Sequence, residues 1–386
     1  MKTLIELYDK RPLENILATE VFRPERTVFL APPKVAEDKA LRASVNAFLK
    51  GRGIESQLSV ESVDMNDPQA VLKAMERVQA QYGDCALDIC GGTDAALFAG
   101  GLFAARHDDL AVFTYSRRRN RFFNIRGASY ASVDTGFVRF SVADFLHMAG
   151  GSMRKGRVDN AVLSRYMWLM EPFFSVFLEN RRAWTQTIGY MQAVSQSNES
   201  LSVRAPAEVK AGRERVRADA QTLEALQKIG MITDLEIGET VSFTFTDRQI
   251  RAWLRDVGSV LELYIYKACL DTGLFNDVKT SVVVDWERIQ EQDGVSNEID
   301  VMSSRALTPI FISCKTGEVK TEALNELSVL RDRFGGEMAC AAIVTAEPAN
   351  AAVRNRASER HIGVIDLADL SEGRTGQRLK EIVLGG

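Results

Sequence analysis

Histidine is scarce in this 386-residue chain, which carries only His107, His147 and His361. That shortage argues against a histidine-rich metal site and leaves few candidates for a Ser-His-Asp triad. The five cysteines (Cys85, Cys90, Cys269, Cys314, Cys340) are odd in number and never form C-x-x-C, so neither a disulfide framework nor a thiolate zinc site is indicated. Long apolar runs are missing, which excludes a membrane-spanning helix. A brief apolar stretch at the N-terminus lacks the longer core and small-residue cleavage site of a signal peptide. A cytoplasmic location is expected. No G-x-G-x-x-G occurs, so a dinucleotide oxidoreductase is a poor fit. The net charge of −4 excludes a protein coated in basic charge, although a local basic groove is compatible with it. What is present is a chain 46% hydrophobic and 26% charged, the balance of a globular protein long enough for two or three domains. Any catalytic metal would be held by carboxylates, as suits Mg²⁺ or Mn²⁺.

Three regions differ in pattern. Residues 1–149 alternate strand and helix: Thr3 to Tyr8, Thr27 to Ala31, an amphipathic stretch from Val35 to Lys50, and a helix opened by Asp67-Pro68. The apolar strand Ala86 to Cys90 carries one acid and runs directly into Gly91-Gly92-Thr93-Asp94 and an Ala-rich helix. Such spacing predicts a mostly parallel, Rossmann-like sheet with helices on both faces. Residues 150–245 begin at Gly150-Gly151 and hold aromatic-rich helices around Trp168, Phe173, Phe174 and Trp184. A helix, a glycine stop at Gly230 and a short strand pair outline a winged-helix-like module, with a helical spacer and hairpin as the alternative. The basic run Arg204, Lys210, Arg213, Arg215 and Arg217 is a candidate nucleic-acid contact; Arg117 to Arg121 read better as a solvated hairpin. Residues 246–386 restart with a helix from Asp247 to Leu270, then strands at Lys279 to Trp286, Glu298 to Met302 and Ile310 to Lys315.

Chemistry concentrates in NEIDVMSSRALTPIFISCKTG. Alternate side chains of a strand share a face, so Glu298 and Asp300 point one way and Ile299 and Val301 the other. On the next strand Phe311, Ser313 and Lys315 share a face, and a hairpin brings Asp300 and Lys315 together. A carboxylate-held divalent ion polarises a phosphate and lowers the pKa of a water, and a nearby ammonium stabilises the added charge of the transition state. Glu262 lies in an otherwise apolar helix whose only other charge is Lys267; it either asks for a cation or lies on a polar seam.

These residues resemble the PD-(D/E)xK nuclease superfamily, with an acid on one strand and acid-x-Lys on the next. The resemblance implies a restriction-endonuclease-like α/β domain, with Glu262, Asp300 and Lys315 catalytic. It implies Mn²⁺ or Mg²⁺ held by Glu262, Glu298, Asp300 and Cys314, the last through its carbonyl. Ser313 departs from the pattern where an acid is usual. In the N-terminal region, ELYDKRPLENILATEVFRPERTVFLAPPK followed by DICGGTDAAL resembles the CARF domains of CRISPR-associated proteins. Free N–H groups at a helix start attract phosphate, and glycines allow close approach. The resemblance implies a cyclic oligoadenylate activator, taken as cyclic tetra-adenylate, bound by Asp9, Pro12, Cys90, Gly91, Gly92, Thr93 and Asp94 across a homodimer. Together the two likenesses imply an activator-dependent, metal-dependent endonuclease of type III CRISPR antiviral defence acting on nucleic acid. The alternative is a ligand-sensing transcription regulator with an inactive nuclease fold.

Overall fold

The computed structural model describes residues 1–10, 13–116, 119, 121–127, 138–148, 152–154, 159–196, 199–285, 297–335 and 339–385. Short apolar runs separated by capped helices build the first sheet. Its elements are β1 (Thr3–Leu7), α1 (Leu17–Phe22), β2 (Arg26–Ala31), α2 (Pro33–Ala36), α3 (Lys39–Gly51) and β3 (Gln57–Ser62). They continue with α4 (Pro68–Tyr82), β4 (Cys85–Asp88), α5 (Asp94–Arg106), β5 (Ala111–Ser116) and β6 (Arg121–Arg126). Asp67 caps α4 by accepting the N–H groups of Gln69 and Ala70, with Pro68 in the first turn. Strand order is β3-β2-β1-β4-β5-β6, parallel throughout except for the β5–β6 pair. The order reverses between β1 and β4, and in open α/β sheets ligands bind beyond the carboxyl ends of the strands at that point. The loops holding Asp9 and Cys90 to Asp94 leave those two strand ends.

After α6 (Val142–Met148), β7 (Ser152–Arg154) leaves the first sheet and pairs antiparallel with the C-terminal one. The middle region holds α7 (Met167–Glu179), α8 (Arg181–Ser195), β8 (Ser202–Pro206), β9 (Glu208–Ala211), β10 (Glu214–Arg217), α9 (Ala220–Lys228), β11 (Ile232–Ile237) and β12 (Thr240–Phe245). Its sheet has the order β11-β12-β8, with β9 and β10 as a separate two-stranded ribbon. The middle region does not stand apart from its neighbour. Phe173, Trp184, Tyr190, Phe243 and Phe245 join one buried cluster with Val260, Leu263 and Ile265, and the Trp184 indole donates to Val257 O at 3.2 Å.

The last region contains α10 (Arg248–Trp253), α11 (Ser259–Asp271), β13 (Asp277–Asp285), β14 (Asn297–Arg305), β15 (Thr308–Lys315) and α12 (Thr321–Phe334). It closes with β16 (Cys340–Thr345), α13 (Ala351–Glu359), β17 (Ile362–Ile365), α14 (Leu367–Ser371) and α15 (Thr375–Leu384). Its sheet has the order β17-β16-β15-β14-β13-β7. The single helix expected from Asp247 to Leu270 is two helices. Asp256 Oδ2 accepts both the N–H (2.9 Å) and the Oγ (2.8 Å) of Ser259, so a second helix starts there. Likewise the stretch from Val35 to Lys50 is divided between α2 and α3. Among the described residues no helix is long and apolar enough to cross a membrane.

Candidate functional site

The β14–β15 ladder runs from Arg305↔Thr308 to Val301↔Ile312 and ends there. Asp300, the next residue, turns its carboxylate across to β15 in place of a backbone partner. Its Oδ2 accepts the Cys314 N–H at 2.6 Å and the Ser313 Oγ–H at 3.1 Å, and Lys315 Nζ stands 3.5 Å from it. Thr280 Oγ1 donates to the Asp300 carbonyl at 2.9 Å, tying the residue to β13 as well. Ser313, where an acid is usual, is a hydrogen-bond donor to Asp300.

The expected alternation of faces fails around Asp300. Val301 packs in one buried cluster with Ile310 and Ile312, whereas Ile299 packs in another with Val282 and Val284. Opposite Asp300 lies Ser281, with φ of 50° in the left-handed region, which turns the strand over at this point. That inversion presents the Ser281 hydroxyl to Glu262, whose Oε2 accepts it at 3.4 Å. Lys267 pairs instead with Glu171 (3.2 Å) and Asp271 (2.5 Å), so it is not the partner of Glu262. Burial, with Asp300, Asp256 and Glu298 adding negative charge, pushes the Glu262 carboxyl up to about 8. Glu262 is half-buried against Ser281, and the Asp300 charge acts on its carboxyl. Ser281, Thr280 and Asp256 were not legible as site residues; a serine in a β-branched strand and an acid in a loop carry no distinctive signal.

Among the described residues no three of His, Cys, Asp and Glu stand close enough to hold a metal ion. The expected set of Glu262, Glu298, Asp300 and Cys314 is therefore not assembled as a four-residue cage. Glu298 is exposed, and the Cys314 thiol is buried and pushed well above its usual range by burial and by Asp300 and Glu262. Asp300 and Glu262, whose charges act on one another, supply oxygen donors of the kind that suit a hard divalent cation. In a strand a residue's N–H and C=O leave the same edge, so the Cys314 carbonyl borders Asp300 as a third oxygen donor.

At the other end of the molecule, most side chains of the ligand set are committed to the protein itself. The Cys90 Sγ accepts the Tyr115 N–H at 2.9 Å, and the Cys90 N–H donates to Asp88 Oδ1 at 2.8 Å. Thr93 Oγ accepts the Ala96 N–H at 3.2 Å as the cap of α5 and donates to the Met65 carbonyl. Gly91 is packed: an added Cβ would lie 2.8 Å from Leu7 O and from Asp9 Cβ. Gly92 has φ of 99°, and its Cβ would meet Leu7 Cβ at 2.9 Å. Contact with Leu7 and Asp9 is thus by itself a reason for glycine at both positions. Asp9 exchanges two hydrogen bonds with Asn15, its N–H to Oδ1 at 2.8 Å and its carbonyl from Nδ2 at 2.7 Å. Asp94 is exposed in the first turn of α5. Pro12 lies outside the described residues.

A feature the sequence only hinted at lies under this loop. Glu6 and Asp88, one acid in each of two apolar strands, are direct neighbours across β1 and β4 and both are buried. Burial and the neighbouring Asp88 push Glu6 well above the carboxylate range; burial pushes Asp88 up to about 7.

Residues 247–383 match the family described as the Card1-like endonuclease domain. Protein VC1899 from Vibrio cholerae is 17% identical and superposes with a TM-score of 0.79 over 98% of both chains. Can2 from Sulfobacillus thermosulfidooxidans, solved in complex with cyclic tetra-adenylate, is 16% identical with a TM-score of 0.68 over 99% of this chain and 97% of that one. A type III CRISPR defence DNA nuclease activated by cyclic oligoadenylate is 16% identical, with a TM-score of 0.51 over 90% of this chain and 46% of that one. No curated protein matches the chain. The α/β architecture that the sequence predicts is shared with these structures over most of the chain, and its C-terminal part resembles the endonuclease domain.

Proposed function

We propose that this protein is a cyclic-oligoadenylate-activated, metal-dependent nuclease of CRISPR-type antiviral defence, working as a homodimer. The observation that carries the reading is the Asp300–Lys315 pair, 3.5 Å apart at the end of a β-ladder. The resemblance of residues 247–383 to the Card1-like endonuclease domain supports it.

Asp300 is held by backbone and side-chain donors, so its carboxylate is preorganised before substrate arrives. Lys315, 40% exposed at its side chain, can meet a phosphodiester while staying beside Asp300. Its ammonium stabilises the extra negative charge that develops on the phosphate oxygens. Burial and neighbouring acids raise the Glu262 pKa, so a cation beside it would favour its ionised form. A Mg²⁺ or Mn²⁺ ion held by Asp300, Glu262 and the Cys314 carbonyl would polarise the phosphate and activate a water. Ser313 leaves that ion one acid short of the usual set, so we expect modest metal affinity.

For the activator, the first-turn N–H groups of α5 suit phosphate, and the exposed Asp94 carboxylate suits a ribose hydroxyl. Cyclic tetra-adenylate, the ligand in the Can2 complex, is the activator proposed here.

The test is to incubate the protein with Mn²⁺, cyclic tetra-adenylate and labelled single-stranded DNA, duplex DNA and RNA. Cleavage that requires both additions supports the reading. Ligand binding with no cleavage of any substrate would establish the transcription-regulator alternative.

A further inference from the structure

We infer that the ribbon β9–β10 is a clamp for a nucleic-acid backbone, holding the strand beside the cutting site; this rests on the nuclease reading above. The ribbon is antiparallel, with Val209 opposite Val216, Lys210 opposite Arg215 and Glu208 opposite Arg217. Alternation divides it into two faces. Val209 and Val216 pack inward on the buried cluster, where Val216 Cγ1 comes to 3.4 Å from the Cβ position of Gly189 on α8. The outer face carries Glu208, Lys210, Arg215 and Arg217, all exposed, with Arg213 at the tip beside Gly212 at φ 63°.

The charge arrangement calls for an anion. Lys210 and Arg215 are like charges directly across the ribbon, a pairing that destabilises an isolated hairpin. Arg215 is paired with Glu208 at 2.9 Å yet its side chain stays 82% exposed. Among the described residues Lys210, Arg213 and Arg217 make no ion pair. Lys210, Arg213, Arg215 and Arg217 thus outnumber the two acids of the ribbon, Glu208 and Glu214, in a protein whose net charge is −4. None of the large exposed apolar side chains lies on the ribbon, so nothing there would enter a lipid bilayer. Phosphate on a nucleic-acid strand, with one charge every ~3.4 Å, fits both the density and the extended shape.

Position links the ribbon to the proposed chemistry. At the start of α8, Arg181 donates to Ala346 O at 3.3 Å and approaches Glu347 at 3.7 Å; the Ala346 N–H in turn bonds Lys315 O at 3.0 Å. Gly189, which seats the ribbon, lies eight residues further on, or about 12 Å along the helix. α8 therefore runs from the residues after β16, one hydrogen bond from the end of the strand bearing Lys315, towards the basic ribbon, over the length of roughly three to four nucleotides.

The experiment compares the parent with the triple variant Lys210→Gln, Arg213→Gln, Arg217→Gln in the full chain. Binding of a labelled DNA duplex, its separated strands and RNA of the same sequence is measured as salt is varied. We expect affinity for at least one of these to fall about tenfold or more at ~0.1 M salt, and the log–log salt slope to shrink by about two to three. Glu208→Gln, which removes an acid from the same face, should tighten binding and shows that the effect is not misfolding. A parent that binds nucleic acid while the triple variant binds it with unchanged affinity and slope overturns the clamp alone. A parent that binds none of the three overturns the nuclease reading with it. Loss of binding to phosphatidylserine vesicles, with nucleic-acid binding unchanged, would reassign the ribbon to a lipid surface.

Discussion

Glu6 and Asp88 face each other across neighbouring parallel strands, both buried, and Asp88 holds the N–H of Cys90 at the start of the glycine loop. Two carboxyls in this position cannot both ionise without a large desolvation and repulsion cost.

Their folded-state pKa values are raised, so the sign follows directly. The stability they contribute is fully present below the unfolded pKa of ~4 and is lost as pH rises through about 7. Asp88→Asn removes one acid while keeping an acceptor for Cys90. The advantage of the parent over this variant should therefore shrink between about pH 4 and 7, by up to about 1.4 kcal/mol per pH unit, and level off above. Urea denaturation of both proteins at several pH values checks this; a constant gap would show that the pair does not titrate there.

Gly92→Val is expected to damage the fold before it touches ligand binding. At φ 99° a side chain is strained, and its Cβ would press on Leu7 at 2.9 Å. A loss of roughly 2–4 kcal/mol in the absence of ligand is predicted from strain and overpacking together. Equilibrium unfolding of the ligand-free variant measures it. Unchanged stability would return this glycine to a purely ligand-facing role.

Ser313→Glu should make stability depend on divalent ions. Without metal, another acid beside Asp300 and Glu262 adds like charge to a half-buried site and lowers Tm. With Mn²⁺ the new carboxylate completes the usual acid-x-Lys set, so Tm should rise further for the variant than for the parent. Thermal unfolding with Mn²⁺ and with EDTA reads both effects. An equal Mn²⁺ response in the two proteins would remove position 313 from the metal's surroundings.

Much of the nuclease-like half was legible because its signals are local. Acids and a lysine at alternate positions of NEIDVM and IFISCK mark two strands, and the seven-residue link SSRALTP between them demands a hairpin. What escaped depended on distant neighbours. Ser281 turns its strand over with a positive φ that no sequence pattern marks, and this sends Ile299 and Val301 to different cores. Glycines 91 and 92 read plainly as a turn, yet their reason lies in Leu7 and Asp9, more than eighty positions earlier. The break between α10 and α11 was within reach, since Asp256 stands three residues before Ser259 as a capping acid would. Strands of four residues such as β9 and β10 are too short for alternation to announce them.

The central claim is that Asp300 organises phosphodiester cleavage. Asp300→Asn keeps the size of the side chain and an acceptor for the Cys314 N–H, so the fold and the ligand loop should be undisturbed. The decisive measurement is the single-turnover cleavage rate with saturating Mn²⁺ and cyclic tetra-adenylate, alongside the affinity for the activator. The account predicts a fall in rate of at least about a hundredfold with activator affinity unchanged. A variant that cleaves at the parental rate while binding the activator normally would contradict it.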